Sequence, residues 1–181
     1  MPRGPAPIPT GPIERWRMDV VHDPLADGRP VRILTVVDNW SRHSPILEAR
    51  FRMTRETVHQ VLDRVLSQGR SPRSITVDHG TEFQSRALED WADRRSVPLD
   101  LIRPGKPVEN AFIDSFYGCL RDECLNVHQF ASLAEAHAII EAWRMDYNHH
   151  RPHRSLRHLT LNEFVAQRLE QEIVEEALCS R

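Results

Sequence analysis

Three aspartates stand where the chain could bring carboxylates to a common point. Asp19 lies within Trp16-Arg17-Met18-Asp19-Val20-Val21, and Asp78 ends Ile75-Thr76-Val77-Asp78. Each is attached to a short β-branched run, the pattern by which a strand delivers a side chain to a sheet edge. Asp114 falls in Pro107-Val108-Glu109-Asn110-Ala111-Phe112-Ile113-Asp114-Ser115-Phe116, which reads as the start of a helix. Carboxylates on two strands and a helix can hold divalent metal ions, and such ions carry out phosphoryl transfer.

Other candidates read differently. Asp38 sits in Asp38-Asn39-Trp40-Ser41, whose turn chemistry makes it a structural residue rather than a ligand. Glu82 reads as supporting structure. His149, His150 and His153 have near-ligand spacing, but an Arg-Pro insertion and the lack of acidic or cysteine partners argue against zinc. Cys119, Cys124 and Cys179 are an odd number with no CxxC, so neither a disulfide framework nor a zinc knuckle is indicated, and a reducing cytoplasm fits. Basic residues gather at Arg50, Arg52 and Arg55, and again in His149, His150, Arg151, His153, Arg154 and Arg157, as a nucleic-acid surface or as solvated surface.

The elements that must position these groups follow from period. Residues 1–14 carry five prolines and two glycines and form a flexible lead-in. Trp16 to His22 suits a strand. Asp27-Gly28 is a turn, Val31 to Val37 a buried strand, and Pro45 to Phe51 an antiparallel return. Val58, Val61, Leu62, Val65 and Leu66 make one helix face with Thr54 as N-cap, ended by Gly69 and Pro72. Ile75-Thr76-Val77 is a fourth strand, a helix begins near Ser85, and Val97 to Ile102 is a fifth strand. The helix carrying Asp114 shows Asn110, Asp114 and Arg121 on one stripe, with Phe112, Phe116, Cys119 and Leu120 on another. Capping boxes at Ser132–Glu135 and Thr160–Glu163 open two further helices. Ala136, Ile140, Trp143 and Tyr147 form the apolar face of the first, and Phe164, Leu169 and Ile173 that of the second. Three strands followed by alternating helix and strand imply an α/β domain with a mixed sheet.

The bulk numbers agree with a globular protein. The chain has 181 residues, 40% hydrophobic and 28% charged, enough for one domain with a real core. No apolar run approaches a membrane span, and no signal peptide is evident near Met1. The net charge of −2 does not mark a nucleic-acid binder, although acidic groups at a metal site and near the C-terminus would mask basic patches.

Six blocks, taken in order, carry more information than any one of them. They are WRMDVV, LTVVDNWSR, ITVDHGTEF, IRPGKPVENAFIDSF, LRDECLN, and YNHHRPHRSL followed by LTLNEF. Together they resemble the integrase catalytic core shared by retroviral integrases and bacterial insertion-sequence transposases of the OrfB type, in the DDE superfamily. The resemblance spans residues 14–168. It implies an RNase H-like fold: a mixed five-stranded sheet flanked by helices, with residues 15–127 as the catalytic core and 128–181 as a C-terminal helical extension. It also implies an Asp, Asp, Glu triad with 35 residues between the last two, which maps the catalytic and metal-holding positions onto Asp19, Asp78 and Asp114. Two Mg2+ or Mn2+ ions are expected there. Lys106, Asn110, Arg121 and Arg103 match positions that approach DNA. The implied activity is 3′-end cleavage and strand transfer on transposon ends and target DNA, by a homo-oligomer in the bacterial cytoplasm, associated with the nucleoid when on DNA.

The chain departs from the pattern in two places. Asp114 stands where the family has glutamate, withdrawing the carboxylate by roughly 1.5 Å, about one C–C bond. Glu109 lies five positions early and, at about 100° per residue, is turned away from Asp114. His79 replaces the usual asparagine. The chain also begins just before the core, without the helical DNA-binding region that normally precedes it, and a separate DNA-binding transposase polypeptide is a further partner that the resemblance allows. Besides the active core, two readings remain. One is a truncated, catalytically impaired remnant that binds DNA or a full-length transposase. The other is a nuclease of the same fold.

Overall fold

The computed structural model describes residues 9–69, 71–78, 83, 85–101, 111–153 and 156–179. Strands β1 (Arg15–Pro24), β2 (Pro30–Asp38) and β3 (Ile46–Arg50) form an antiparallel meander. Strands β4 (Ser74–Val77) and β5 (Leu99–Leu101) are parallel additions, β4 beside β1 and β5 beside β4. The order β3-β2-β1-β4-β5 makes β1 the central strand of a mixed five-stranded sheet. The β-branched run from Val31 gives β2 its burial: Ile33 through Asp38 are all inaccessible, as expected of an interior strand covered on both faces. Gly28 supplies the positive φ of +84° that the β1–β2 turn requires.

Strand alternation sorts the side chains into two layers. On one face Trp16, Met18, Leu34, Val36, Ile75 and Val77 meet helices α1 (Arg55–Leu66) and α2 (Arg86–Arg95). Both helices start where the sequence placed their caps, with Thr54 accepting from the Thr57 N–H and Ser85 from the Leu88 N–H. Helix α1 stops at Leu66, ahead of the expected breakers Gly69 and Pro72, and Ser67 caps it.

The opposite face carries Val31, Ile33, Leu47 and Ala49. Helices α3 (Ala111–Leu120) and α4 (Leu133–His149) cover it through Phe116, Leu120, Ile140 and Tyr147. A π-helical segment, Arg121–Leu125, extends α3 and turns Cys124 and Leu125 into this core. Helix α5 (Leu161–Cys179) opens on a reciprocal capping box, Glu163 N–H to Thr160 Oγ1 and Thr160 N–H to Glu163 Oε2. Leu161 is buried and Phe164 half-buried, but Leu169 is 43% exposed, so the expected apolar face does not stay covered along the helix.

At the β3 edge the two layers share a carboxylate. Glu48, 2% exposed, receives Arg64 of α1 at 2.8 Å, Arg50 at 2.5 Å and His137 of α4 at 3.5 Å.

Candidate functional site

Odd-numbered residues of β1 point toward α3, and Asp19 is among them. Its antiparallel partner is Thr35 of β2. On the other side β1 and β4 are parallel with Met18 opposite Val77. One further step along that register sets Asp19 beside Asp78, on strands separated by about 4.8 Å. The sheet therefore brings these two carboxylates together, from residues 59 positions apart in the chain.

The electrostatics record that approach. Burial pushes the Asp19 carboxyl above its ordinary range, and the negative charge of Asp78 pushes it further. The Val20 N–H, which reaches Asp19 Oδ1 at 2.7 Å, pulls the other way, as do the Tyr117 hydroxyl and Arg17. Tyr117 comes from α3. Its hydroxyl lies 3.0 Å from Thr35 Oγ1, which donates at 3.1 Å to the Asp19 carbonyl. Burial raises the Tyr117 hydroxyl far above its ordinary pKa, and the Asp19 charge adds to that.

Asp114 is exposed and lies three residues before Tyr117 on α3. With Tyr117 fixed over Asp19, Asp114 sits roughly 4.5 Å further back along the helix axis and some 60° around it. Among the described residues, no three ligating side chains are close enough to hold a metal. The pair alone still suits a hard cation. Magnesium is commonly held by one or two carboxylates, with water and substrate phosphates completing its octahedron. Two half-buried carboxylates side by side, one of which feels the other's charge, are also a donor set that a divalent cation would relieve.

The expected DNA-contact residues are distributed differently. Arg121 is exposed at the start of the π-helical segment, and its charge acts on Asp23, four residues beyond Asp19 along β1. Lys106, Asn110 and Arg103 lie outside the described residues, as do Glu109, His79 and Glu82.

Asp38 is a knot in the loop, as its turn chemistry implied. Its Oδ1 accepts from the Trp40 N–H at 3.0 Å, the Ser41 N–H at 2.7 Å and the Ser41 hydroxyl at 2.9 Å. Its Oδ2 accepts from the Ile13 N–H at 2.7 Å, tying the segment before β1 to the end of β2.

The YNHHRPH block braces the back of α3. Tyr147 stacks on Trp143 and meets Phe116 and His153 edge-on. Glu123 of the π-helical segment takes Arg151 and the Trp143 indole N–H. Asn148, fully buried, accepts from the Ser44 N–H and donates to the Ser44 carbonyl, both at 2.9 Å. The histidines diverge: His149 meets Asn162, while the His153 ring packs on Tyr147.

Sequence reasoning missed Tyr117 and Thr35. The available signal was position: Tyr117 is one turn after Asp114, and Thr35 interrupts the apolar run Ile33-Leu34-Thr35-Val36-Val37.

Comparisons with known proteins fit this geometry. Two family models described as "Integrase core domain" match, one over residues 9–107 and one over residues 95–160. An uncharacterized 31.7 kDa protein of insertion element IS407 from Burkholderia multivorans is 45% identical over 159 residues, which cover 88% of this chain and 57% of that protein. An uncharacterized 39.2 kDa protein of insertion element IS476 from Xanthomonas euvesicatoria is 41% identical over 155 residues, 86% of this chain and 45% of that protein. The chain thus spans about half the length of these relatives. Among solved structures, the HTLV-2 integrase catalytic core domain in complex with magnesium, in its trimeric form, aligns with TM-score 0.68 at 16% identity, covering 86% of this chain and 97% of that one. At that identity the likeness speaks for the fold alone, an RNase H-like one.

Proposed function

This chain belongs to the integrase core domain family, and on that premise we propose that it is the catalytic core of an insertion-sequence transposase. The observation that carries the proposal is the register of the parallel strands β1 and β4, which sets Asp19 beside Asp78, the residue that follows β4.

In the proposed reaction, water attacks a phosphodiester at the element's end and frees a 3′-hydroxyl and a 5′-phosphate. That hydroxyl then attacks a target phosphodiester, forming one new bond as the target's own 3′-oxygen leaves. A bound Mg2+ or Mn2+, two ions in the full site, would supply Lewis acidity to the phosphoryl oxygens and activate the nucleophile. The protein's part is to hold two carboxylates side by side, half out of water, and to present Asp114 from α3 once DNA is bound. Arg103, Lys106, Asn110 and Arg121 are assigned to phosphate positioning, which fixes DNA register without reading sequence. The magnesium complex and trimeric form named for the HTLV-2 core support a divalent cation and a homo-oligomer. No helix among the described residues is long and apolar enough to cross a membrane, and action on cytoplasmic DNA is proposed.

The test is a labelled duplex carrying the element's terminal sequences, incubated with the protein in Mg2+ or Mn2+. Metal-dependent cleavage and joining are expected, reduced at least 100-fold in Asp19→Asn and Asp78→Asn proteins that still fold. DNA binding with no cleavage in either metal would favour the impaired remnant instead. Cleavage without joining would favour the nuclease.

A further inference from the structure

We infer that Tyr117 and Thr35 are positioning residues that hold Asp19, and with it its carboxylate, in place beside Asp78, an inference that rests on the metal-holding reading of that pair. One hydroxyl and one backbone N–H bond Asp19, and a second hydroxyl backs the first. Thr35, fully buried and directly opposite in β2, has one proton and places it on the Asp19 carbonyl at 3.1 Å. The Val20 N–H takes Oδ1 at 2.7 Å. The Tyr117 hydroxyl lies 3.0 Å from Thr35 Oγ1 and, with the Thr35 proton already on the Asp19 carbonyl, is the donor in that bond. Each hydroxyl carries one proton, so Tyr117 to Thr35 to the Asp19 carbonyl is a single relay of donors. The carboxylate is thus held by the Val20 N–H of its own strand, while Thr35, backed by Tyr117 from the overlying helix, fixes the Asp19 backbone.

The tyrosine ring alone does not account for this arrangement. Packing edge-on against Phe116, with centroids 5.8 Å apart, would be equally served by phenylalanine. What phenylalanine would lack is the polar link across 82 residues between α3 and β2. That link also fixes how α3 sits over the sheet, and α3 is the element that carries Asp114 one turn away. Partners that orient a metal-ligating carboxylate are worth about 10–100-fold in metal affinity.

The experiment is a Mn2+ titration of the full chain, followed by electron paramagnetic resonance, on wild type, Tyr117→Phe, Thr35→Val, Thr35→Ser and Asp78→Asn. Tyr147→Phe serves as control, since it removes another buried hydroxyl from the same layer. Thermal unfolding of the metal-free proteins is recorded alongside. Tyr117→Phe is expected to weaken Mn2+ binding about 10-fold, while Tyr147→Phe leaves it unchanged. Thr35→Ser, keeping the hydroxyl, should bind as wild type does, and Thr35→Val should not. A purely structural role for the hydroxyls would move the unfolding temperature and leave the Mn2+ affinity alone. The inference is overturned if Tyr117→Phe and Thr35→Val, folded, bind Mn2+ like wild type while Asp78→Asn does not. If wild type and Asp78→Asn bind alike, the metal-holding reading itself fails, and the positioning role falls with it.

Discussion

Replacing Asp38 with asparagine separates the structural aspartate from the proposed ligands. Asp38 is 3% exposed, and every hydrogen-bonding group reaching it in the structure is a donor. Burial raises its carboxyl above the ordinary range, and the surrounding N–H and O–H donors, which favour the ionised form, offset that in part. Asparagine can set its oxygen at the Oδ1 position and keep the Trp40 and Ser41 bonds. Its amide nitrogen then faces the Ile13 N–H, donor against donor. Losing that charge-assisted bond and stranding the N–H costs about 2–3 kcal/mol. For a chain of this size that is a fall in Tm of about 4–12 °C. Differential scanning calorimetry reads the shift, and Mn2+ titration of the folded variant should match wild type. An unchanged Tm together with lost Mn2+ binding would refute the reasoning and make Asp38 a ligand.

Three further outcomes are expected. Asn148→Leu keeps the volume but strands the buried Ser44 N–H, and urea unfolding should show a loss of about 1–3 kcal/mol; no loss would mean that water replaces the amide. Glu48 resists the upward push of burial because Arg64, Arg50 and His137 together hold its carboxyl below the usual 4.5. A depressed carboxyl stabilises the fold above its unfolded pKa, and that stability drains away as pH falls through the folded value. The stability advantage of wild type over Glu48→Gln should therefore be full at neutral pH and shrink below about pH 4.5; an advantage constant down to pH 3 would contradict this. Asp114→Glu restores about one C–C bond of reach from an exposed helix position, and should raise metal-dependent cleavage about 10-fold, given that a 1 Å misplacement can cost about 100-fold. A fall in rate would show a site adapted to aspartate.

Much of this was legible in the chain because the signals are local. The helix starts at Thr54, Ser85, Ser132 and Thr160 are each written in a side chain that caps its own helix within three residues. Alternation along β1 fixed the face of Asp19, and turn chemistry identified Asp38. What escaped were relations between distant segments. The Tyr117–Thr35 contact depends on the height at which α3 crosses β2, which no window of sequence contains. Arg121 shares a stripe with Asp114 only while the helix keeps 3.6 residues per turn. The π-helical segment begins at that residue, and its charge falls on Asp23. Helical spacing put Tyr147 of the YNHHRPH block on an apolar face, and it is buried against Phe116, but the polar Asn148 beside it is also buried, by a partner in the β2–β3 loop.

The central claim is that Asp19 and Asp78 act together on one divalent cation. Isothermal calorimetry with Mg2+ and Mn2+, on wild type, Asp19→Asn and Asp78→Asn, with and without duplex DNA, tests it most directly. The account predicts saturable binding by wild type, tighter with duplex, and abolished by either substitution alone. Binding that survives both substitutions, or that is absent from wild type even on DNA, would contradict it.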